Sequence, residues 1–151
     1  MSVLFVCLGN ICRSPMAEGA LRAATAKAGL TIDIDSAGTA DYHIGQPPDR
    51  RAIATAARHG VDIWDLRGRQ LSEGDFDRFT HIFAMDKANL AGIKARAPRE
   101  SRGRIALLCD VFEGRDGEAV PDPYHGDEAA FEAVWKTVDE AAQTIVKQLR
   151  T

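Results

Sequence analysis

The chain is 151 residues long, with a formal net charge of −3 and 45% hydrophobic residues. This length fits one domain over residues 1–151, and the ordinary apolar share argues against disorder. The acidic balance disfavours a nucleic-acid binder, and the apolar runs are far shorter than the about 20 residues of a membrane span. The start lacks signal-peptide features and three cysteines are too few for a disulfide scaffold, so we expect a cytoplasmic protein.

The first part of the chain reads as strand, helix, strand. Residues 3–6 (VLFV) are an apolar run typical of a buried parallel strand. Ser14 is predicted to be the N-cap of a helix with Pro15 as its first residue, and Gly29 is predicted to end that helix. Residues 31–35 (TIDID) alternate between polar and apolar side chains, which predicts a half-exposed edge strand.

The alternation continues to the end of the chain. Helices are predicted from about Asp49 to His59, over residues 72–79, from the candidate cap Asp86 to a stop at Pro98, and from about residue 127 to 149. Strands are predicted over residues 81–85 and 105–108. The pattern indicates an α/β fold: a doubly wound sheet of four parallel strands in the order 2-1-3-4, with helices on both faces. Ligands of such sheets bind beside the carboxyl end of the first strand.

The segment that follows the first strand, CLGNICRS from Cys7 to Ser14, is the strongest candidate site. A loop between a strand and a helix directs backbone N–H groups and the helix dipole at one point, which suits a phosphate. These donors and Arg13 would stabilise a Cys7 thiolate, and Arg13 would bind two phosphate oxygens at once. Gly9 permits a positive φ and lets a phosphate oxygen approach the backbone, and Asn10 tolerates a left-handed conformation and can brace the loop. The loop therefore predicts a phosphocysteine intermediate.

A second cysteine–arginine pair provides an internal comparison. Cys109 and Arg115 have the same spacing as Cys7 and Arg13, and they also follow a predicted strand. However, Asp110 lies inside this second segment, where it would repel a dianion, and no capped helix follows. We therefore interpret Cys109 as a core or loop-edge cysteine.

Residues 3–18 (VLFVCLGNICRSPMAE) closely resemble the signature of the low-molecular-weight protein tyrosine phosphatases. The resemblance continues through residues 35–39 (DSAGT), 44–49 (IGQPPD), 58–60 (RHG), 84–86 (AMD) and 121–124 (PDPY), and so covers essentially the whole chain in order. It implies a four-stranded parallel sheet and hydrolysis of phosphotyrosine in protein substrates without metal or cofactor. It also suggests a tyrosine kinase as a partner.

The resemblance implies roles for individual residues. Cys7 matches the nucleophile, Arg13 the phosphate binder and Asp122 the general acid. Ser14 matches a hydroxyl that steadies the thiolate, and Cys12 matches a disulfide partner for Cys7 under oxidation. The other matches are the phosphate-binding loop (Leu8, Gly9, Asn10, Ile11, Cys12, Arg13), a hydrogen-bond network that holds it (Asn10, Ser36, His59) and the aromatic walls of the cleft (Tyr42, Tyr124).

The residues themselves leave simpler interpretations open. Asp122 stands between two prolines, as a turn residue would, and His59 before a glycine fits a helix C-terminus. Cys12 fits a packing role behind the loop. The Asp33-Ile34-Asp35 segment is similar to the Asp-x-Asp motif of magnesium-dependent phosphatases, but the alternation places both carboxylates on the polar face of an edge strand. The remaining histidines (His43, His81, His125) show no metal-ligand spacing.

Three alternative functions remain for comparison. Arginine phosphatases are similar but carry Thr where this chain has Ile11, which favours tyrosine here. An arsenate reductase on the same fold would need a further pair of redox cysteines downstream, whereas Cys109 is the only later cysteine. A binding module for phosphate or phosphotyrosine would need no general acid.

Overall fold

Four short parallel strands form the centre of the molecule. They are β1 (Ser2–Cys7), β2 (Asp33–Gly38), β3 (His81–Ala84) and β4 (Arg104–Leu107), in the spatial order β2-β1-β3-β4. The computed structural model describes residues 1–101 and 103–150, so Arg102 and Thr151, the last residue of the expected domain, lie outside the described residues. The predicted α/β fold and strand order are confirmed.

Five helices within the described residues cover the sheet. They are α1 (Arg13–Lys27), α2 (Arg50–Arg58), α3 (Asp75–Arg78), α4 (Lys87–Arg96) and α5 (Glu128–Leu149), and a 3-10 turn spans Leu108–Val111. One core lies between the sheet and α1, α2 and α5, where Met16, Ala52 and Phe131 are buried. A second core on the opposite face contains Phe76 of α3 and Ile93 of α4. The helices therefore lie on both faces, as predicted.

The apolar run of β1 is explained by these two cores. Val3, Phe5 and Cys7 point into the first core, whereas Leu4 and Val6 point into the second. Because alternate side chains of a strand face opposite sides, a strand buried on both faces carries no polar residue. This alternation also places Cys7 on the side of the sheet that α1 covers.

The edge strand β2 extends further than its polar pattern predicts. It begins at Asp33 and continues to Gly38, which is paired with Cys7 at the end of β1. Ser36 and the two residues after it are buried, so the exposed alternation that marks the start of the strand stops there. Their pairing with β1 brings Ser36 close to the loop that follows Cys7.

Aspartate side chains cap three helices, among them the predicted cap Asp86. The carboxylates of Asp49, Asp86 and Asp127 accept backbone N–H bonds at the starts of α2, α4 and α5. Gly29 follows α1 with φ +71°, as expected for a helix end. The predicted N-cap at Ser14 is wrong, because α1 already begins at Arg13 and the Ser14 hydroxyl bonds side chains of the loop instead. None of the described helices is long and apolar enough to cross a membrane.

Candidate active site

A cavity of about 270 Å³ lies at the carboxyl end of β1. Its walls come from the loop after β1, from the loop after β2 and from the loop that precedes α5. The lining residues are Cys7, Leu8, Gly9, Ile11, Cys12, Arg13, Tyr42, His43, Asp122, Tyr124 and His125. The fold thus brings Cys7, Arg13 and Asp122 into one cavity, although Asp122 is far from the other two in sequence.

The buried Cys7 thiol contacts the hydroxyl of Ser14. The distance from Sγ to Oγ is 3.0 Å. The Ser14 oxygen accepts a hydrogen bond of 2.8 Å from the side-chain amide of Asn10. When Cys7 is a thiolate it has no proton, so the Ser14 hydroxyl must donate to the sulfur. Ser14 therefore occupies the position that the family resemblance implies.

Asn10 has a left-handed backbone that its side chain stabilises. Its φ is +56°, the only positive value among the described non-glycine residues. The side-chain amide donates to Ser14 and, at 3.0 Å, to Ser36, while Oδ1 accepts the backbone N–H of Arg69 at 3.1 Å. A left-handed L-residue costs about 1–2 kcal/mol, which hydrogen bonds of this number can offset.

Gly9 does not adopt the positive φ that a glycine permits, and the left-handed residue of the loop is Asn10. Gly9 has a different reason to lack a side chain: a Cβ there would lie 3.0 Å from Cδ2 of His43. The glycine allows His43 to approach the loop and line the cavity.

The guanidinium of Arg13 is buried and held in place by Asp86. One nitrogen donates to Asp86 Oδ2 at 2.6 Å and to the backbone carbonyl of Val120 at 3.0 Å. The other oxygen of Asp86 caps α4 by accepting the N–H of Asn89. The sequence indicates Asp86 only as a cap and as part of the segment 84–86, because its contact with Arg13 joins the start of α1 to the start of α4, which are far apart in the chain.

Asp122 combines a turn contact with an orientation toward the cavity. Its Oδ1 accepts the backbone N–H of Tyr124 at 3.1 Å, and its Oδ2 lies 3.9 Å from the guanidinium of Arg13. The side chain is 49% exposed, so it has access to water. The turn interpretation and the acid interpretation are therefore compatible, because they use different oxygens of one carboxylate.

Aromatic and imidazole side chains form the mouth of the cavity. Tyr42 is 68% exposed and Tyr124 is 43% exposed, and both line the cavity. The guanidinium of Arg51 lies 5.5 Å from the centre of the Tyr124 ring. The structure adds His43 and His125 to this wall, whereas their sequence spacing gave no signal.

His59 does not take the position that the resemblance implied. Its Nε2 is 2.8 Å from Glu132 Oε2, and its ring stacks on Trp135 at 5.3 Å. These contacts place it against α5, so its membership of the loop network is wrong. The backbone N–H of Arg69 makes the additional bond to Asn10 in that network.

The Asp-x-Asp segment of β2 lies outside the cavity. The guanidinium of Arg78 binds Asp33 at 2.8 Å and holds the pKa of that carboxyl below its usual range. Arg69 binds Asp35 at 3.0 Å. Both carboxylates are thus paired with arginines, in agreement with the structural interpretation of this segment. Among residues 1–101 and 103–150, no group of three or more His, Cys, Asp or Glu side chains is arranged to hold a metal.

The two other cysteines have different surroundings. Cys12 is buried but lines the same cavity as Cys7, and burial together with the charge of Asp49 raises the pKa of its thiol. Cys109 is buried in the first core, which confirms its interpretation as a core cysteine. All three cysteines are free thiols.

Residues 2–151 match the family model described as low molecular weight phosphotyrosine protein phosphatase. The chain belongs to this family. It is 40% identical over 152 residues to the low molecular weight protein-tyrosine-phosphatase YfkJ of Bacillus subtilis, and the match covers 99% of this chain and 96% of that relative. The family predicted from the sequence is therefore confirmed.

Solved structures of similar proteins have the same fold. The chain superposes on a protein tyrosine phosphatase from Entamoeba histolytica with a TM-score of 0.92 and 36% identity, covering 99% of this chain and 97% of that one. It also superposes on a Drosophila arginine phosphatase with a TM-score of 0.93 and 32% identity, covering 100% and 99% of the two chains. Because proteins with both names share this fold, the fold alone does not determine the choice of substrate.

Proposed function

We propose that this phosphatase hydrolyses phosphotyrosine through a phosphocysteine intermediate on Cys7, with Arg13 binding the phosphate and Asp122 acting as general acid and base. One observation carries the proposal: the thiol, the guanidinium and the carboxylate line the same cavity. Each has a partner that orients it, namely Ser14, Asp86 and the backbone of Tyr124.

In the first step, the Cys7 thiolate attacks phosphorus as the bond to the tyrosine oxygen breaks. The leaving phenolate has a conjugate acid pKa of about 10, so its expulsion is slow unless a proton arrives with it. Protonated Asp122 supplies that proton through Oδ2. The N–H groups of the loop and the Arg13 guanidinium stabilise the charge on the equatorial oxygens.

In the second step, water hydrolyses the phosphocysteine. Asp122, now a carboxylate, takes a proton from the water as its oxygen attacks phosphorus. The sulfur–phosphorus bond breaks, and Cys7 is released as a thiolate together with inorganic phosphate. The hydroxyl of Ser14, at 3.0 Å from the sulfur, stabilises this leaving thiolate.

The cavity wall supports an aromatic substrate. Ile11, Tyr42 and Tyr124 present apolar surface beside the loop, which suits a phenyl ring. Phosphoarginine is the second candidate, since a structural neighbour is named an arginine phosphatase. The family resemblance places Thr at the position of Ile11 in arginine phosphatases, so we infer that Ile11 favours tyrosine.

Membership of the family implies protein substrates that contain phosphotyrosine. We further infer a tyrosine kinase partner from the resemblance. We also infer a cytoplasmic location, which the three free cysteines support because thiols persist in a reducing compartment.

A panel of peptides carrying phosphotyrosine, phosphoserine or phosphoarginine tests the substrate. We expect release of phosphate to be fastest from phosphotyrosine, and Ile11→Thr to shift the ratio toward phosphoarginine. Ile44→Thr is a matched control, since Ile44 is exposed and does not line the cavity. Binding of the phosphotyrosine peptide without turnover would instead support a binding module, and faster turnover of phosphoarginine would overturn the proposed preference.

A further inference from the structure

Glu18 on α1 is a buried carboxylate that the mechanism above does not use. It is 2% exposed. Its Oε1 accepts a hydrogen bond of 2.6 Å from the Ser36 hydroxyl, and its Oε2 accepts one of 2.8 Å from Arg22. Burial raises the pKa of Glu18, and the hydrogen bonds from Ser36 and Arg22 act against that rise. A carboxylate is costly to bury, so its contacts are informative.

A continuous chain of hydrogen bonds leads from Glu18 to Cys7. Ser36 donates its only hydroxyl hydrogen to Glu18, so a lone pair of its oxygen is free to accept from Asn10 at 3.0 Å. The second amide hydrogen of Asn10 goes to Ser14 at 2.8 Å, and Ser14 is 3.0 Å from the Cys7 sulfur. Every link between Glu18 and the thiol is a direct side-chain contact.

Glu18 and the backbone N–H of Arg69 determine which groups donate and which accept along this chain of hydrogen bonds. The backbone N–H of Arg69 bonds Oδ1 of Asn10, which fixes the NH2 group of Asn10 toward the two serines. If Ser36 lost its acceptor at Glu18, its buried hydroxyl hydrogen would have no partner, and the Ser36 oxygen would hold the NH2 group of Asn10 less firmly. Asn10, which carries the left-handed turn of the loop, would then be free to shift.

We propose that Glu18 is a positioning residue, the terminal acceptor of a chain through Ser36, Asn10 and Ser14 that makes the Ser14 hydroxyl donate to the Cys7 thiolate. The inference rests on the proposed function, because it concerns the reactivity of the same nucleophile. It gives a role to Glu18, the last residue of the segment 3–18, for which the family resemblance implied none.

Alkylation of Cys7 by iodoacetamide, followed by mass spectrometry of the peptide, measures thiolate reactivity without any phosphatase assay. We expect Glu18→Met to slow alkylation by about tenfold at neutral pH, which is the effect of one hydrogen bond to the sulfur. Glu18→Gln should restore most of the rate, because its amide oxygen accepts from Ser36 while Arg22, which is half exposed, turns to solvent.

Thr25→Val is the matched control. Thr25 is buried on the same helix, and its hydroxyl bonds the carbonyl of Leu21 rather than the loop. This variant should lose stability without a change in the alkylation rate. The pH at which alkylation reaches half its maximum should rise for Glu18→Met and stay unchanged for Thr25→Val. Arg22 and Asp35 are the charged groups that act on Glu18, and Arg13 and Asp122 line the cavity together with Cys7.

A double-mutant cycle tests whether Glu18 acts through Ser36. Ser36→Ala should slow alkylation by a similar factor, and adding Glu18→Met to it should change the rate less than about twofold. This variant also keeps the test available if Glu18→Met does not fold. Additive losses, or a wild-type rate in Ser36→Ala, would overturn the inference. If the wild-type chain fails to hydrolyse phosphotyrosine but the alkylation results hold, the proposed function fails and the positioning role stands.

Discussion

The substitution Asp122→Asn separates proton donation from turn formation at this residue. An asparagine keeps Oδ1, which accepts the backbone N–H of Tyr124 at 3.1 Å, so the turn is retained. Only the ionisable group that faces Arg13 and the cavity is lost. The variant therefore measures the contribution of the proton itself.

The expected penalty depends on the leaving group. A positioned carboxylic acid contributes about 10²–10⁴-fold, and we expect the lower end of this range because water can reach a side chain that is 49% exposed. The loss should be about 10²-fold for a phenol of pKa about 10, since that phenolate needs a proton. It should approach no loss for aryl groups that leave readily as anions.

Single-turnover rapid-quench measurements on a series of aryl phosphates would test this dependence. The same series with Asp116→Asn, which removes an exposed carboxylate elsewhere, controls for net charge. A penalty that is constant across the series would refute the reasoning, and would show that Asp122 only shapes the turn.

Further predictions concern the thiols, metals and the stability of the fold. Cys7→Ser should abolish turnover yet still bind inorganic phosphate in calorimetry, because the N–H groups of the loop remain; a near wild-type rate would refute the covalent mechanism. Peroxide should convert Cys7 to a sulfenic acid, and the Cys12 thiol should then attack the sulfenic sulfur, forming a disulfide and releasing water. Activity should therefore return with dithiothreitol. Cys12→Ser should instead be inactivated irreversibly, and equal recovery of both proteins would reduce Cys12 to a packing role. Full activity should persist in EDTA; a loss that magnesium restores would contradict metal-independent catalysis. Burial acts to raise the pKa of Asp75, but its bonds to Arg69 lower that pKa overall, so this carboxylate stabilises the fold above about pH 4 and less as the pH falls further. Asp75→Asn should therefore cost about 1–3 kcal/mol in urea unfolding at pH 7 and less at pH 3, whereas the exposed Asp77→Asn should cost little at either pH.

The sequence by itself determined the architecture and the location of the site. The uninterrupted apolar run of β1 and the polar alternation at the start of β2 are local patterns, and they sufficed to give a parallel sheet in the order 2-1-3-4. The cysteine loop between β1 and α1 indicated a phosphate site, because this loop is also a local sequence pattern. Asp86 was recognised as a helix cap, and a helix start was placed at about Asp49, because capping involves residues only two or three positions apart.

Tertiary structure decided which side chains complete the site. The contact of Asp86 with Arg13 and the chain from Glu18 to Cys7 join residues from separate elements, and no local pattern encodes such pairings. The same reason explains the corrections: Ser14 has the sequence of an N-cap but bonds Cys7, and His59 bonds α5 rather than the loop. A side chain takes the partner that folding brings within reach, so its role is fixed only when distant elements are packed together.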